Sequence, residues 1–303
     1  MELTIPAYAK LNWSLQVLGA FPEDHVNFGY TEIESLMLLL DLHDLVTVKI
    51  LDTKNSEVSI HCDNPNVPQT LNGKVQENVC FKAIQALKGD AAIFLPKNGS
   101  VPFLENDIEI YIEKNIPLAG GLGGSSTDGV AVLKALDQIY QLNLSRESLI
   151  EIAATFGSDT PFFASGYPQA IVKGRGEIVE PCELFSEQKR FILVNPGIEL
   201  YVGEVFKALK NADFKKCGLK RELYQPSNDL QHSPYVSQYF KNCEDICQAL
   251  IASGCEVAQM SGSGSTCFGL CSETVDIGLL SDLSVKCTVF EASLCSGELS
   301  TEA

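Results

Sequence analysis

Residues 117–127, Pro-Leu-Ala-Gly-Gly-Leu-Gly-Gly-Ser-Ser-Thr, set four glycines and three hydroxyls in succession. Glycine admits positive φ and lets bare backbone approach a ligand. The opening turn of a helix adds amides without intrahelical acceptors and a positive dipole end. A loop so composed can wrap phosphate oxygens, through Leu118, Ala119, Gly120, Gly121, Leu122, Gly123, Gly124, Ser125, Ser126 and Thr127. It contains no lysine, so it is not a P-loop, and Ser126 stands where a Gly-x-Gly-x-x-Gly fingerprint needs its third glycine. Phosphate must be held by backbone and hydroxyls, with a cation brought from elsewhere. The same glycines also read as a plain mobile connection.

Two further segments carry ionisable groups in apolar settings. Lys10 lies in Pro6-Ala-Tyr-Ala-Lys-Leu-Asn-Trp13. There it is either an edge-strand residue whose ammonium reaches water or a cation held for chemistry. Asp159 lies in Phe156-Gly-Ser-Asp-Thr-Pro-Phe-Phe163. It reads as the cap of a short helix with Pro161 early in it, or as a carboxylate able to take a proton from a hydroxyl. A third segment, Met260-Ser-Gly-Ser-Gly-Ser-Thr-Cys267, runs on into Phe268 and Leu270 rather than into polar residues. That makes it a glycine turn in a folded core, close to a ligand or to another loop. The four histidines, His25, His43, His61 and His232, share no ligand spacing and receive no role.

The elements that must position these groups can be read in part. Ile108, Ile110 and Ile112 alternate with Glu109, Tyr111 and Glu113, the period of a half-buried strand. Val130, Leu133, Leu136 and Tyr140 recur on one helical face. The glycine loop therefore joins a strand to a helix, with Ser126, Thr127 or Asp128 as the expected helix cap. Strands are also expected over 4–17, 45–51 and 191–194, and on either side of the glycine turn in 257–271. Helices are expected over 77–87, from Ser145 to Gly157, over 203–209 and over 243–252. Residues 33–42 are too apolar to assign, and 95–106 read as irregular. Helices and strands mix without a βαβ rhythm, which favours an α+β fold, with a soft boundary near Tyr167.

Composition narrows the partners. A chain of 303 residues allows two domains or one large one. Its 45% hydrophobic and 20% charged residues suit a globular protein, and no apolar run approaches the ~20 residues that span a bilayer. The opening Met-Glu-Leu-Thr-Ile-Pro lacks the basic flank and apolar core of a signal peptide, so a cytoplasmic location is expected. With 39 acidic and 22 basic residues the net charge is −17. Nucleic acid and anionic membrane select basic surfaces, so neither is the expected partner. A phosphate ester held by so acidic a chain needs a divalent metal to screen it. The 11 cysteines are odd in number, form no C-x-x-C pair and often lie in apolar runs, which points to reduced thiols packed as small hydrophobes. Cys243 and Cys247 share a helical spacing without a histidine cluster, which argues against zinc.

Taken in order, the segments resemble the GHMP kinases, the superfamily of galactokinase, homoserine kinase and mevalonate kinase. Ala9-Lys10-Leu11-Asn12 resembles its N-terminal lysine strand, residues 117–127 its phosphate loop, and Ser261-Gly-Ser-Gly-Ser265 its C-terminal glycine turn. Within the superfamily the likeness is strongest to the cytidyl-polyol kinases of non-mevalonate isoprenoid precursor synthesis. It rests on Ala9 to Asn12, Phe28-Gly-Tyr-Thr31, Gly120 to Gly124 and Gly157-Ser-Asp-Thr-Pro-Phe162, with echoes at Asn195-Pro-Gly197 and Pro226-Ser-Asn-Asp229. The chain departs from that pattern at Tyr8, where proline is usual, at Ser125 for glycine, at Asp128 for asparagine and at Thr31 for histidine. Thr31 cannot supply the imidazole that helps hold a cytosine ring.

The resemblance implies an α+β, two-domain fold: an N-terminal ATP-binding domain (1–167) like the ribosomal protein S-five fold, and a ferredoxin-like C-terminal domain (168–303). It implies ATP on the loop from Leu118 to Thr127, with Mg²⁺ bridging phosphate oxygens and no protein ligand assigned to the metal. Asp159 would be the general base on the substrate's 2-hydroxyl, and Lys10 would orient that hydroxyl and stabilise its alkoxide. Tyr30 and Phe206 would sandwich the cytosine, with Thr31 beside them, and Asn12 would contact the substrate. The expected partners are ATP and a small cytidyl-polyol, in a monomer or weak homodimer. The alternatives are a kinase of homoserine or mevalonate, and a GHMP-like sensor that binds nucleotide or metabolite without turnover.

Overall fold

The structure, a computed structural model, describes residues 1–64, 78–94, 106–209, 224–271 and 275–296. It opens with two long antiparallel strands, β1 (Glu2–Ala20) and β2 (Thr31–Ile50). The unassigned run 33–42 lies within β2. Leu36, Leu38 and Leu40 face one core there and Met37 and Leu39 another, so both faces are apolar and no alternation shows. β3 (Val58–Cys62) and β4 (Ile108–Glu113) extend the sheet on one side, and the two-residue β8 (Ser227–Asn228) on the other, in the order β3-β4-β2-β1-β8. β5 (Gln169–Gly174) pairs with the N-terminal half of β2, and β6 (Ile178–Pro181) with β5.

Helices cover one face of this sheet: α1 (Val79–Phe94), α2 (Gly124–Tyr140), α3 (Arg146–Ala154) and α4 (Thr160–Ser165). Val46, Val48 and Ile110 meet Ile84, Leu133, Ile152 and Phe162 there. The other face lies on a second, antiparallel sheet of β7 (Arg190–Asn195), β9 (Val257–Met260), β10 (Cys267–Cys271) and β11 (Thr288–Ser293), in the order β11-β7-β10-β9. Leu11, Trp13 and Leu38 pack against Phe191, Leu193 and Phe268 between the sheets. Beyond the second sheet lie α5 (Val202–Ala208), α6 (Pro234–Tyr239) and α7 (Cys243–Ala252), around Val205, Val236, Phe240 and Ile246. The layers run helix, sheet, sheet, helix, an α+β arrangement.

Several expected boundaries move. α1 does not stop at residue 87 but runs through Gly89, which has open space around it, to Phe94. The following Ala91 and Ala92 are strong helix formers that offset one glycine. α3 ends at Ala154 rather than at Gly157, where the Thr155 hydroxyl donates to the Ile152 carbonyl at 2.7 Å. Its Ser145 cap is as expected, accepting from the Ser148 amide at 3.1 Å. Pairing of β5 and β6 carries the first sheet to Pro181. The irregular stretch expected at 95–106 lies outside the described residues except for Asn106. The ten described cysteines are all free. No helix among the described residues is long and apolar enough to cross a membrane.

Candidate active site

A register shift in β1 aims the lysine. Tyr8 pairs with His43, but Lys10 pairs with Leu39, so β2 carries extra residues in between. Such a bulge re-aims the following side chains. Ile5 and Ala7 face the helices; past the shift Leu11 and Trp13 face the second sheet, and Lys10 and Asn12 turn to the helical side. Lys10 is nearly fully buried. Its ammonium donates to Asn12 Oδ1 at 2.6 Å and lies 3.5 Å from Asp159 Oδ2. A buried ammonium needs such partners, because burial without them would discharge it.

Asp159 stands at the N-cap position of α4, with Pro161 in the first turn, but its side chain makes no capping hydrogen bond. Thr160 instead donates its hydroxyl to the Ala153 carbonyl at 2.6 Å, tying the start of α4 back to α3. The carboxylate is left about one-third exposed, with Lys10 on one side and solvent on the other. A proton could reach it from a bound hydroxyl.

The glycine loop lies directly over Lys10, whose backbone amide donates to the Leu122 carbonyl at 2.9 Å. The helix cap is Gly123 (φ 76°), not Ser126, Thr127 or Asp128. A Cβ there would sit 2.6 Å from the Phe163 ring and 3.1 Å from Lys10 Cγ. Gly121 (φ +72°) is closed in from the other side, where a Cβ would fall 2.2 Å from the Ser261 carbonyl oxygen. The expected glycine turn at 261–265 thus backs another loop. Ser261 Oγ donates to the Gly121 carbonyl at 3.2 Å, and the Thr266 amide to the Gly120 carbonyl at 3.2 Å. Thr127 is the first amide to bond back into the helix, to Gly123 at 2.9 Å. The amides of Gly124, Ser125 and Ser126 therefore have no intrahelical acceptor, and the Ser125 side is open to solvent. Leu118 and Ala119 form the exposed lip.

Beneath the loop is a charged cluster that the sequence reading did not identify. Lys114, at the end of β4, is paired with both Asp44 and Asp128, and all three side chains are buried. Asp44 also accepts from the amides of Asn115 (2.6 Å) and Ile116 (2.8 Å), which lead into the loop. Asp128 belongs to the first turns of α2. One ammonium thus ties the entrance of the loop to the helix that follows it. Burial, and then the neighbouring Asp44 charge, push the Asp128 carboxyl up to about 7 against the pull of Lys114. The only sequence cue was a lysine two residues before Ile116, with its partners 14 and 70 positions away.

The residues expected to hold a base come from the start of β2 and from α5. Tyr30 is half exposed, and the Arg175 guanidinium lies 5.0 Å over its ring. Thr31 opens β2 opposite Ala20. Phe206 is partly buried on α5 against the third core, and no ring contact joins it to Tyr30 among the described residues. Asn12 is buried, with Oδ1 taken by Lys10 and Nδ2 donating to Ser35 Oγ at 2.8 Å. The amide oxygen and the amide nitrogen thus each have one of their two hydrogen-bonding places filled.

Residues 78–167 match the GHMP kinases N terminal domain, and residues 205–280 match the GHMP kinases C terminal family. Over 283 residues the chain is 35% identical to the 4-diphosphocytidyl-2-C-methyl-D-erythritol kinase of Caldanaerobacter subterraneus subsp. tengcongensis, covering 89% of this chain and 88% of that protein. The kinase of that name from Thermodesulfovibrio yellowstonii is 34% identical over 291 residues, covering 90% and 91%. A crystal structure of 4-(cytidine 5'-diphospho)-2C-methyl-D-erythritol kinase matches 97% of this chain and 100% of its own, with a TM-score of 0.69 at 25% identity. The homoserine kinase of Cytophaga hutchinsonii matches 96% and 94% with a TM-score of 0.63 at 16% identity, a likeness of fold. The chain belongs to the GHMP kinases, within the family of the 4-diphosphocytidyl-2-C-methyl-D-erythritol kinases.

Proposed function

We propose that this chain transfers the γ-phosphoryl group of ATP to the 2-hydroxyl of 4-diphosphocytidyl-2-C-methyl-D-erythritol, a step in non-mevalonate isoprenoid precursor synthesis. The observation that carries the chemistry is the Lys10–Asp159 pair, 3.5 Å apart beside the open head of α2. Asp159 takes the proton as the hydroxyl oxygen attacks the γ-phosphorus, ADP leaves, and the Lys10 ammonium stabilises the developing alkoxide. General-base help of this kind contributes roughly 10²–10⁴-fold. The rest of the acceleration comes from position and charge.

The amides of Gly124, Ser125 and Ser126 would hold the ATP phosphates, with the positive end of α2 behind them. The hydroxyls of Ser125 and Ser126 and the Asp159 carboxylate are hard oxygen donors, the kind that Mg²⁺ takes, so the site fits that ion. When bound, Mg²⁺ would neutralise charge on the phosphate oxygens during transfer. Asn12 keeps the Lys10 ammonium in place. Tyr30, with one face against Arg175, offers a flat surface for a cytosine ring, which Phe206 would cover from the other side.

The test is a substrate panel read by mass spectrometry. With Mg-ATP, the cytidyl-polyol should gain one phosphoryl group, while mevalonate and homoserine should not. Phosphorylation of either of those and not of the cytidyl-polyol would sink the substrate assignment. Tight ATP binding without product from any of them would favour a sensor.

A further inference from the structure

Three cysteines that the kinase chemistry does not use converge in the core of the C-terminal half. Cys243 and Cys247 project one turn apart from the start of α7, and Cys267 from the beginning of β10. All three are buried, and their sulfur atoms lie within 4.8 Å of one another. The Cys243 and Cys267 sulfurs are 3.8 Å apart. Around a metal with bonds of about 2.3 Å, sulfurs are separated by about 3.8 Å in a tetrahedron and about 4.0 Å in a planar triangle. The thiols already stand near ligand spacing.

The surroundings select the ion. The neighbours in this core are apolar, among them Val236, Phe240, Ile246 and Leu250. Among the described residues the cluster contains no histidine and no carboxylate, so a four-coordinate zinc site would lack its last ligand there. Met260 is buried and pairs directly with Cys267 across β9 and β10, which puts its thioether on the same face. Thiolates are soft donors that suit Cu(I). The N-terminal end of α7 adds a positive dipole that favours thiolates at its first turn.

We propose that Cys243, Cys247 and Cys267 form a thiolate site for Cu(I), separate from the kinase centre. Binding turns up to three thiols into thiolates, releases their protons to the buffer and changes no oxidation state. It would tie α7 to β10 while leaving Lys10 and Asp159 untouched.

The experiment titrates reduced, anaerobic full-length protein with Cu(I) against a chromophoric Cu(I) chelator. The tightest equivalent should be withdrawn from the chelator and show a sulfur-only shell by X-ray absorption. Cys243→Ser and Cys267→Ser should each weaken it by more than about tenfold, and Cys182→Ser and Cys287→Ser should not. Copper-free kinase turnover should match the wild type in all four variants, which reports folding. No withdrawal of Cu(I), or equal withdrawal by the Cys243→Ser and Cys267→Ser variants, overturns the site. Should either variant not fold, nitrogen or oxygen ligands around copper in the wild type overturn it as well, as does a Cys243–Cys267 disulfide formed in place of binding.

Discussion

Asp159 occupies the N-cap position of α4, yet its carboxylate caps nothing and lies 3.5 Å from the Lys10 ammonium. Ordinarily an aspartate there would accept an amide of the first turn, a bond worth about 1 kcal/mol. The Thr160 hydroxyl anchors the helix start instead, on the Ala153 carbonyl. The carboxylate is thereby left to lysine and solvent.

Asn12 should behave as a positioning residue. Asn12→Ala removes the acceptor of Lys10 and leaves the buried Ser35 hydroxyl without its amide donor. We expect a stability loss of about 1–3 kcal/mol in urea unfolding, and a fall in kcat larger than any rise in the KM for the cytidyl-polyol. A rise in that KM alone would mean that Asn12 binds substrate directly.

Gly121→Ala tests how the loop is backed. Its Cβ would fall 2.2 Å from the Ser261 carbonyl oxygen, at a left-handed φ of +72°. The loop must shift, and we expect the KM for ATP to rise more than the KM for the second substrate, with a stability loss of about 1–3 kcal/mol. Unchanged ATP binding would show that phosphate does not rest on this loop.

The buried Lys114 cluster predicts a pH signature in stability. The folded Asp128 carboxyl sits at about 7, above its unfolded value of about 3.9. Between these values the folded state binds more protons, so the Asp128 contribution to stability falls as pH rises from about 4 to about 7. Asp128→Asn removes that slope while keeping an oxygen for Lys114. The Tm of the variant should gain on the wild type as pH rises across this window, and a constant Tm difference would contradict the assignment.

Much of this was legible in the residues. The strand–loop–helix around residues 117–127 followed from periodicity and glycine content, and α7 from spacing. The run 33–42 was opaque because β2 is buried on both faces, which erases the alternation that marks a strand. The cap at Gly123 was missed because hydroxyls are the commoner caps, whereas here close approach to Phe163 and Lys10 decides. The pairing of Lys10 with Asp159 spans 149 positions and depends on a register shift in β1. No local pattern encodes that. The Lys114 cluster was invisible for the same reason: it draws on β2, β4 and α2.

The most direct test of the account is ADP release with Mg-ATP and 4-diphosphocytidyl-2-C-methyl-D-erythritol, wild type beside Asp159→Asn. The carboxylate makes no capping bond, so the variant should fold nearly as well as the wild type while turning over at least ~10²-fold more slowly. An Asp159→Asn enzyme as active as the wild type would contradict the general base. A folded wild type without turnover on this substrate would contradict the reaction itself.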